Sequence, residues 1–412
     1  MKSRLTTAGL LLACTLLALG VFALPASAAP RAQWTFAIYL CSDNDLDEWG
    51  ALNVEWLTTA PASDAVNFLV LWDTATGPAK LYKVSHGTTT ELTDFALHGT
   101  EVNMGDPATL AALLDFTEAE YPADKVVLDL WDHGDDFTGI CYDDDPGTAA
   151  DVDKLSHQEI AAALAGRSVD ILAADGCGIG VVEAAYEYVT GGVTAEWFVA
   201  SETYVPLLGF PYDTIAADLV ADPGMDPGQL AKVMVERYAE LYRKGWLTSL
   251  SAIRLPAVEA MVDELWDVIA VLMSDMRTYR GLVAAGKAKA TMGWSQYGWD
   301  AFVDLPTVFE VVHRKAPAKS ELKAETAELL DALAEAVPYM GAPITGYAGN
   351  FGGIAVFFPG SWGSFTNNTF WRGSLYPQMR FAQDGWQEFL FAYFGGAKRK
   401  ALQAQPAARA LR

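Results

Sequence analysis

Two residues of this sequence, Cys177 and His133, have the side-chain types of a thiol nucleophile and its general base. Each directly follows an apolar run and lies beside glycine, in the segments WDHG (131–134) and DGCG (175–178). A thiol attacks a carbonyl carbon as its thiolate, and a nearby imidazole or a helix N-terminus lowers the thiol pKa. Because a helical pattern at 181–189 follows Cys177, the sequence predicts both effects. The structural alternatives are a buried hydrophobic cysteine and a surface or capping histidine.

The glycines beside these residues could serve the same reaction. Attack on a carbonyl creates an oxyanion, which preorganised hydrogen-bond donors must stabilise. The backbone N–H groups of Gly134 and Cys177 are the predicted donors. Glycine permits the tight turns and the close substrate approach that such a site requires.

Strand-like and helical segments alternate along the first half of the chain and would position both residues. Helical patterns cover 107–120, 156–164 and 181–189, and Ser156 with Glu159 has the spacing of a capping box. Strands that alternate with helices predict a mostly parallel, doubly wound sheet. Such sheets bind ligands at the carboxyl ends of their strands, so neighbouring strands would bring the thiol and the imidazole together. The predicted strands are 34–41, 66–72, 125–131, 169–174 and 197–200.

The character of the sequence changes after about residue 225. Long helical patterns cover 227–244, 256–279 and 319–337, and a strand-like piece follows at 354–358. This half could be a second domain or a set of helices packed on the first. We therefore predict four parts: a signal segment (1–28), an α/β catalytic domain (29–225), a C-terminal helical and mixed α/β region (226–395) and a basic disordered tail (396–412).

The first 28 residues are typical of a secretory signal. Lys2 and Arg4 precede an apolar run at 10–24, and Ala-Ser-Ala at 26–28 forms a cleavage site of small residues. No later run has the roughly 20 apolar residues that a membrane-spanning helix needs. The sequence therefore predicts a secreted or periplasmic protein without stable membrane insertion once the signal is removed.

Charge and cysteine content restrict the partners and the redox state. The formal charge of −24 disfavours binding to nucleic acid and attracts cationic partners, although solubility alone could explain it. Cys14 leaves with the signal, so Cys41, Cys141 and Cys177 remain. An odd count leaves at least one thiol unpaired, and spacing does not decide whether the other two form a disulfide.

These segments together resemble the clostripain family of cysteine peptidases, from about residue 34 to 212. The opening WTFAIYLCSDNDLDEW (34–49) is similar to the family's first strand and the loop after it. WDHG resembles the segment of the catalytic histidine, and ADGCG (174–178) resembles the cysteine motif. The resemblance implies a caspase-like three-layer α/β/α fold with a mostly parallel sheet. It also implies an endopeptidase that cuts protein or peptide substrates after Arg or Lys.

The same resemblance suggests how a basic side chain would be bound. An acidic residue two positions before the cysteine lines that pocket in the family, and Asp175 has this position. A carboxylate would make a charge-assisted contact with guanidinium or ammonium, whereas a turn or capping role is the structural alternative. The loop at 204–210 lacks the family's second acid, and Glu202 or Asp213 could replace it.

The connection between His133 and Cys177 carries a dense run of carboxylates at 143–154. Relatives of clostripain are processed by self-cleavage in this connection, so the resemblance predicts cleavage after Lys154. The chemistry itself requires no cofactor, but clostripain-like enzymes often depend on calcium, and Asp143 and Asp145 could bind Ca²⁺. Their spacing is not that of an EF-hand, and a solvated acidic loop is the alternative that we favour.

Two further functions fit the same residues. The segment DDF at 135–137 puts charge beside the predicted oxyanion site, and the loop at 204–210 departs from the family. A non-catalytic exported binding protein on the caspase-like scaffold would tolerate both changes. A calcium-dependent surface protein that uses the acidic run is the other alternative, and it would be indifferent to the loss of Cys177.

Overall fold

The computed structural model describes residues 31–145, 152–243, 246–290, 301–342, 351–361 and 375–395. The predicted signal segment at 1–28 and the predicted tail at 396–412 lie outside the described residues. Part of the acidic run, residues 146–151, lies outside them as well.

A nine-stranded sheet forms the centre of the protein, in the order β12-β10-β9-β8-β5-β1-β2-β3-β4. Its five middle strands (β2, β1, β5, β8 and β9) are parallel, and they are the five strands that the sequence predicted. Antiparallel strands extend both edges. The thirteen strands of the described residues are β1 (Ala32–Ser42), β2 (Val66–Thr74), β3 (Lys80–Ser85), β4 (Thr88–Glu91), β5 (Ala123–Trp131), β6 (Ile140–Asp143), β7 (Asp153–Leu155), β8 (Ile171–Asp175), β9 (Trp197–Ala200), β10 (Leu250–Arg254), β11 (Phe302–Asp304), β12 (Tyr339–Gly341) and β13 (Ala355–Phe357).

Helices cover both faces of the sheet, which gives the three-layer α/β/α arrangement. Alternate side chains of β1 enter two separate cores: Tyr39 packs on one side with α2, α3 and α4, and Ile38 packs on the other with α1, α5 and α6. This alternation is why the central strands read as nearly continuous apolar runs. The helices of the described residues are α1 (Asp47–Thr58), α2 (Pro107–Glu120), α3 (His157–Leu164), α4 (Val182–Thr190), α5 (Tyr212–Ala221), α6 (Pro227–Leu241), α7 (Val258–Ser274), α8 (Met276–Lys289), α9 (Leu305–Lys315), α10 (Glu321–Ala336) and α11 (Gln387–Phe394).

Local sequence signals set the helices next to the predicted site. Ser156 caps α3 by accepting a hydrogen bond from the N–H of Glu159, and the Glu159 carboxylate accepts one from the N–H of Ser156. This is the predicted capping box. Asp106 caps α2, and Pro107 takes the first helical position, where a missing N–H costs no hydrogen bond.

The second half of the chain adds to the same sheet. β10 pairs with β9, and β12 pairs with β10, so the division predicted at residue 225 does not coincide with a break in the sheet. The helix predicted at 256–279 is two helices, because the chain leaves the helical conformation at Asp275, whose side chain caps α8. Among the described residues, no helix has both the length and the apolarity to cross a membrane.

A buried carboxyl group, that of Glu183 on α4, joins the two halves of the chain. Its Oε1 accepts hydrogen bonds from the N–H of Phe357 at 3.0 Å and from the hydroxyl of Tyr376 at 3.0 Å. The side chain is fully buried, and burial raises the pKa of this carboxyl to about 7. Because α4 follows the loop of Cys177, this contact ties the C-terminal region to the predicted site.

The raised pKa of Glu183 predicts that stability falls as pH rises. The pKa of a glutamate in the unfolded chain is near 4.3. At pH values between that pKa and the folded-state pKa, the folded protein binds more protons than the unfolded chain. The contribution of Glu183 to the unfolding free energy is therefore fully present at acid pH and is lost as the pH rises through the folded-state pKa. We expect Glu183→Gln to reduce the loss of unfolding free energy between pH 5 and 8 by about 3 kcal/mol. Urea unfolding of the Cys177→Ala protein at both values measures it.

Glu196→Gln is the matched control for this measurement, because Glu196 is exposed. It should leave the pH dependence of the unfolding free energy unchanged. The same pH dependence in the Glu183→Gln protein and its parent would contradict the assignment.

Candidate active site

The carboxyl ends of β5 and β8 bring His133 and Cys177 to one cleft. The two strands are neighbours, and Trp131 pairs with Asp175. His133 and Cys177 each follow two residues after that pair, and both line one cleft. The sheet thus places the imidazole and the thiol at one edge, as the sequence predicted. The other lining residues are Leu46, Trp131, Asp132, Asp175, Gly176, Tyr204, Val205, Pro206, Leu207 and Gly209.

The imidazole of His133 is oriented by Asp45, a residue that sequence reasoning missed. Its Nε2 lies 2.7 Å from Oδ1 of Asp45. A carboxylate accepts a hydrogen bond from a protonated Nε2, so Nδ1 is left as the basic nitrogen of the neutral ring. The sequence feature that could have indicated Asp45 is the acidic loop directly after β1. Because β1 is a parallel neighbour of β5, the carboxyl end of β1 lies at the same edge of the sheet as His133.

Buried polar contacts fix the loops that carry His133 and Asp45. The side chain of Asn44 donates hydrogen bonds to Oδ1 of Asp132 at 2.8 Å and to the carbonyl oxygen of Tyr142 at 3.0 Å. The N–H of Tyr142 donates to Oδ2 of Asp132. Asp132 is buried, and burial raises its pKa well above the usual value. The residues on either side of these contacts therefore have little freedom to move independently.

The thiol of Cys177 differs from the prediction. Burial first, and then the nearby carboxyls of Asp175, Asp132 and Asp135, raise its pKa to about 12, although the N–H of Val205 acts in the opposite direction. The predicted effect of a helix N-terminus is wrong, because α4 begins at Val182, five residues after the cysteine. The predicted lowering of the thiol pKa is therefore wrong for this conformation.

The loop after β9 covers the sulfur atom. The N–H of Val205 donates to Sγ of Cys177 at 3.4 Å, and the carbonyl oxygen of Val205 lies 3.6 Å from the same atom. The N–H of Gly178 donates to the carbonyl of Thr203 at 2.6 Å. The side chain of Asn53 on α1 holds the loop from its other end by donating to the carbonyl of Leu208 at 3.0 Å.

Gly134 lies against the backbone of Cys177, where the two strand-end turns meet. A Cβ atom at this position would lie 2.7 Å from the backbone nitrogen of Cys177 and 2.5 Å from its carbonyl oxygen. Only glycine allows this approach. It puts the backbone of the predicted oxyanion donors, Gly134 and Cys177, side by side.

Asp175 lies on the wall of the cleft, and a hydrogen-bond network leads from it into the core. Its Oδ2 accepts hydrogen bonds from the N–H of Phe210 at 2.7 Å and from the hydroxyl of Tyr212 at 3.0 Å. Its Oδ1 is buried and has no hydrogen-bond partner among the described residues. Burial raises the pKa of Asp175 to about 7. A cation that enters the cleft would supply the partner that Oδ1 lacks.

Asp129 is a further acid below Asp175. The Tyr212 hydroxyl lies 2.8 Å from Oδ2 of Asp129 as well as 3.0 Å from Asp175. Burial and the neighbouring Asp175 raise the pKa of Asp129 well above its usual value. Because one hydroxyl has a single proton, the arrangement fits a protonated Asp129 that donates to Tyr212, which in turn donates to Asp175.

Glu202 and Asp213 do not line the cleft, contrary to their predicted role. Glu202 is buried and accepts a hydrogen bond from the N–H of Gly353 at 3.0 Å. Its pKa is raised well above the usual value by burial and by the neighbouring Asp304. Asp213 lies in the first turn of α5. Sequence proximity to the loop could not reveal that neither residue lines the cleft.

Lys154 lies in the short antiparallel pair of β6 and β7. Its Nζ donates hydrogen bonds to the hydroxyls of Thr138 at 2.7 Å and Tyr142 at 2.8 Å. The next residue, Leu155, is fully buried. The peptide bond after Lys154 is therefore not presented to a protease in this conformation.

Asp143 ends β6 and Asp145 follows two residues later, and Ca²⁺ binding by this pair stays a prediction. Asp143 uses both of its oxygens for backbone N–H groups, with Met104 at 2.7 Å and with Asp145 at 3.0 Å. Cys41 and Cys141 are buried free thiols.

Comparison with known proteins was made for both the sequence and the fold. A family model described as the clostripain family matches residues 38–341. Clostripain of Hathewaya histolytica is 35% identical over 165 residues, which are 35% of this chain and 31% of clostripain. The chain thus matches about a third of the length of that curated relative.

Two solved structures share the fold. An inactive zymogen of a C11 protease from Parabacteroides distasonis superimposes with a TM-score of 0.65 at 18% identity, over 86% of this chain and 99% of that one. A secreted C11 cysteine protease from Bacteroides thetaiotaomicron, in complex with an irreversible peptide inhibitor, gives 0.63 at 17% identity, over the same shares.

The contact between His133 and Asp45 predicts how fast an alkylating reagent modifies Cys177. An exposed carboxylate stabilises the imidazolium that forms when the thiol ionises, and an exposed ion pair contributes up to about 1 kcal/mol. We expect Asp45→Asn to slow alkylation of Cys177 by iodoacetamide about two- to fivefold. Mass spectrometry of the Cys177 peptide separates it from the buried thiols.

Two further variants serve as controls for the alkylation rate of Asp45→Asn. His133→Ala should slow alkylation more than Asp45→Asn does, and Asp64→Asn, an exposed change before β2, should have no effect. An Asp45→Asn protein that reacts as fast as its parent would show that Asp45 does not position the imidazole.

Proposed function

The chain belongs to the clostripain family, and from that premise we propose that it is a cysteine endopeptidase with Cys177 as nucleophile and His133 as general base. The observation that carries the proposal is the convergence of both side chains in one cleft at the ends of neighbouring parallel strands. A thiol and an imidazole at one edge of such a sheet can perform acyl transfer on a peptide carbonyl.

In the proposed reaction, Nδ1 of His133 takes the thiol proton and the thiolate of Cys177 attacks the scissile carbonyl. The N–H groups of Gly134 and Cys177 stabilise the oxyanion. Nδ1 then returns the proton to the leaving amine, and water hydrolyses the thioester. The ring can do this because Asp45 occupies Nε2 and leaves Nδ1 available.

Because burial raises the pKa of the Cys177 thiol, the loop that covers the sulfur must move away when substrate binds. Val205 contacts Sγ with its N–H and its carbonyl, so a substrate that reaches the sulfur must displace it. We therefore assign the described conformation to a resting state. A second candidate, a non-catalytic binding protein, is favoured by the same contact, and the experiment below separates the two.

We propose that the enzyme cuts after Arg or Lys and that Asp175 binds the basic side chain. The support is that Asp175 lines the cleft and that its buried Oδ1 has no hydrogen-bond partner among the described residues. A buried carboxylate that gains a cation makes a charge-assisted hydrogen bond. The proposed substrates are proteins or peptides with basic residues. Export is also proposed, from the signal-like segment at 1–28.

The test of this function is hydrolysis of peptides that differ only in the residue before the scissile bond. The parent should cleave after Lys and Arg, and Cys177→Ala and His133→Ala should not cleave. Asp175→Asn should lower kcat/KM for these peptides about a hundredfold, because the buried cation loses its charged partner. The Lys activity of the parent should rise as pH passes about 7, where Asp175 ionises.

Asp213→Asn is the control, because the structure turns this carboxyl away from the cleft. It should leave kcat/KM for Lys peptides unchanged. An electrophilic peptide ending in Lys should label Cys177 of the parent. A parent protein that neither cleaves nor becomes labelled would instead support the non-catalytic binding function.

Self-cleavage after Lys154 is a further proposal, and it requires that the β6–β7 pair opens. The active chain should yield a fragment that ends at Lys154, whereas Cys177→Ala should stay intact under the same conditions. Lys154→Ala should block that cut because the basic side chain is lost. Intact-mass spectrometry measures all three proteins, and an uncut active chain would contradict the proposal.

A further inference from the structure

A row of three hydrogen-bonding side chains leads from the cleft into the core, and the proposed reaction makes no use of the inner two. The hydroxyl of Tyr212 lies 3.0 Å from Oδ2 of Asp175 and 2.8 Å from Oδ2 of Asp129. Asp175 lines the cleft, whereas Asp129 does not line it and is 0% exposed. The row therefore connects the wall of the cleft to a second acid that substrate does not reach.

The register of the sheet brings the two acids together. Asp129 on β5 pairs with Ala173 on β8, and two residues later Trp131 pairs with Asp175. Because side chains alternate along a strand, the two carboxyls lie on the same face of the sheet. Tyr212, the first residue of α5, reaches both of them from the helices on that face. An apolar core fills this side of the sheet, so neither carboxyl is solvated.

No positive side chain balances the two carboxyls. Among the described residues, no lysine or arginine forms an ion pair with Asp129 or Asp175. Oδ1 of each is buried and has no hydrogen-bond partner in that part of the chain. Two buried charges so close together repel each other, so the pair is expected to keep one proton. The other ionisable side chains that act on the pair are all weak acids: Tyr212 on α5, Tyr238 and Tyr242 on α6, Cys177 after β8 and Cys141 on β6.

The contacts favour a proton on Asp129 and a charge on Asp175. Oδ2 of Asp175 accepts hydrogen bonds from the N–H of Phe210 at 2.7 Å and from the Tyr212 hydroxyl, and such donors favour the charged form of a carboxyl. Burial and the neighbouring Asp175 raise the pKa of Asp129 well above its usual value. The pKa of Asp175 is raised only to about 7. Asp129 is therefore the acid that keeps its proton when Asp175 ionises.

We propose that Asp129 and Tyr212 are positioning residues for specificity, because they hold a single negative charge on Asp175 and that charge selects one basic side chain. The inference rests on the proposed function, in which Asp175 binds Lys or Arg. A protonated Asp129 donates a hydrogen bond to the Tyr212 oxygen, which directs the Tyr212 hydroxyl proton to Asp175. Oδ1 of Asp175 is then left for the ammonium or guanidinium group of the substrate. Asp129 and Tyr212 act through Asp175, since neither lines the cleft.

The proton on Asp129 is tested by infrared spectroscopy of the full chain with Cys177→Ala, which requires no catalysis. The difference spectrum on adding Asp129→Asn is recorded at about pH 8, where an ordinary aspartate is a carboxylate. The variant should lose the C=O band of a protonated carboxylic acid, because Asp129 keeps its proton. Loss of carboxylate bands instead would show that Asp129 carries the charge, and it would overturn the proposal.

The role in specificity is tested by the pH dependence of kcat/KM for Lys peptides. Tyr212→Phe removes a donor to the charged form of Asp175, so the midpoint of the rise with pH should move up by about one unit. Asp129→Asn keeps a donor to Tyr212 and cannot ionise, so its midpoint should stay within about 0.3 unit of the parent. A midpoint that falls by about one unit in Asp129→Asn would show that Asp175 held the proton, contrary to the proposal.

Tyr188→Phe is the matched control for the loss of a buried hydroxyl. Tyr188 is fully buried in the other core, and its hydroxyl contacts Nδ1 of His157 at 2.7 Å. This change should leave the midpoint unmoved, and an equally unmoved midpoint in Tyr212→Phe would overturn the proposal. The pH dependence of Cys177 alkylation by iodoacetamide should be the same in all these variants, because it reports the thiol and the imidazole.

Failure of the proposed function gives a different result. A parent protein that cleaves no Lys peptide would refute that function and, with it, the role of Asp129 and Tyr212 in specificity. The infrared difference spectrum would still show which of the two acids holds the proton. A parent that cleaves Lys peptides, together with an unmoved midpoint in Tyr212→Phe, would refute the present inference alone.

Discussion

The close contact between two strand-end turns governs the whole site. Gly134 lies against the backbone of Cys177, at a distance that no side chain at position 134 would permit. That contact exists because β5 and β8 are parallel neighbours that end in register. The same edge receives the end of β1, which supplies Asp45. A mostly parallel sheet thus converts separate segments of the sequence into one chemical arrangement, and the surrounding helices serve to hold its strands in register.

Negative charge is the second feature that shapes the molecule. The thiol of Cys177 lies near the carboxyls of Asp175, Asp132 and Asp135, which oppose its ionisation. A substrate with a basic side chain would add the missing positive charge next to Asp175 and would displace the contact of Val205. The fold leaves Oδ1 of Asp175 buried without a hydrogen-bond partner among the described residues, and a cation from outside would supply one.

The sequence predicted most of the fold because the parallel strands are buried on both faces and read as apolar runs. It missed the edge hairpin of β3 and β4, whose strands are short and partly exposed, and it missed the pair of β6 and β7 inside the acidic connection. It placed the thiol and the imidazole correctly at strand ends. It could not find Asp45, since the role of this residue depends on which strands are neighbours. The predicted lowering of the thiol pKa was wrong, because burial under a loop leaves no periodic pattern in the sequence.

The loop at 203–209 controls access to the sulfur atom of Cys177. The sequence predicts a departure from the family pattern at 204–210, and this loop contacts Sγ and lines the cleft. Asn53 anchors the loop to α1, and the hydroxyl of Tyr242 donates to the carbonyl of Gly209 at 2.7 Å. The loop is also anchored at its start, where the carbonyls of Thr203 and Tyr204 accept hydrogen bonds from the N–H of Gly178 and the hydroxyl of Thr248. Val205 lies between the two anchored ends, so a movement of Val205 is confined to the segment between them. Displacement of Val205 would uncover the sulfur while Asp175 keeps its hydrogen bond from Phe210. The binding of a basic side chain and the exposure of the thiol can therefore occur in one step of loop movement.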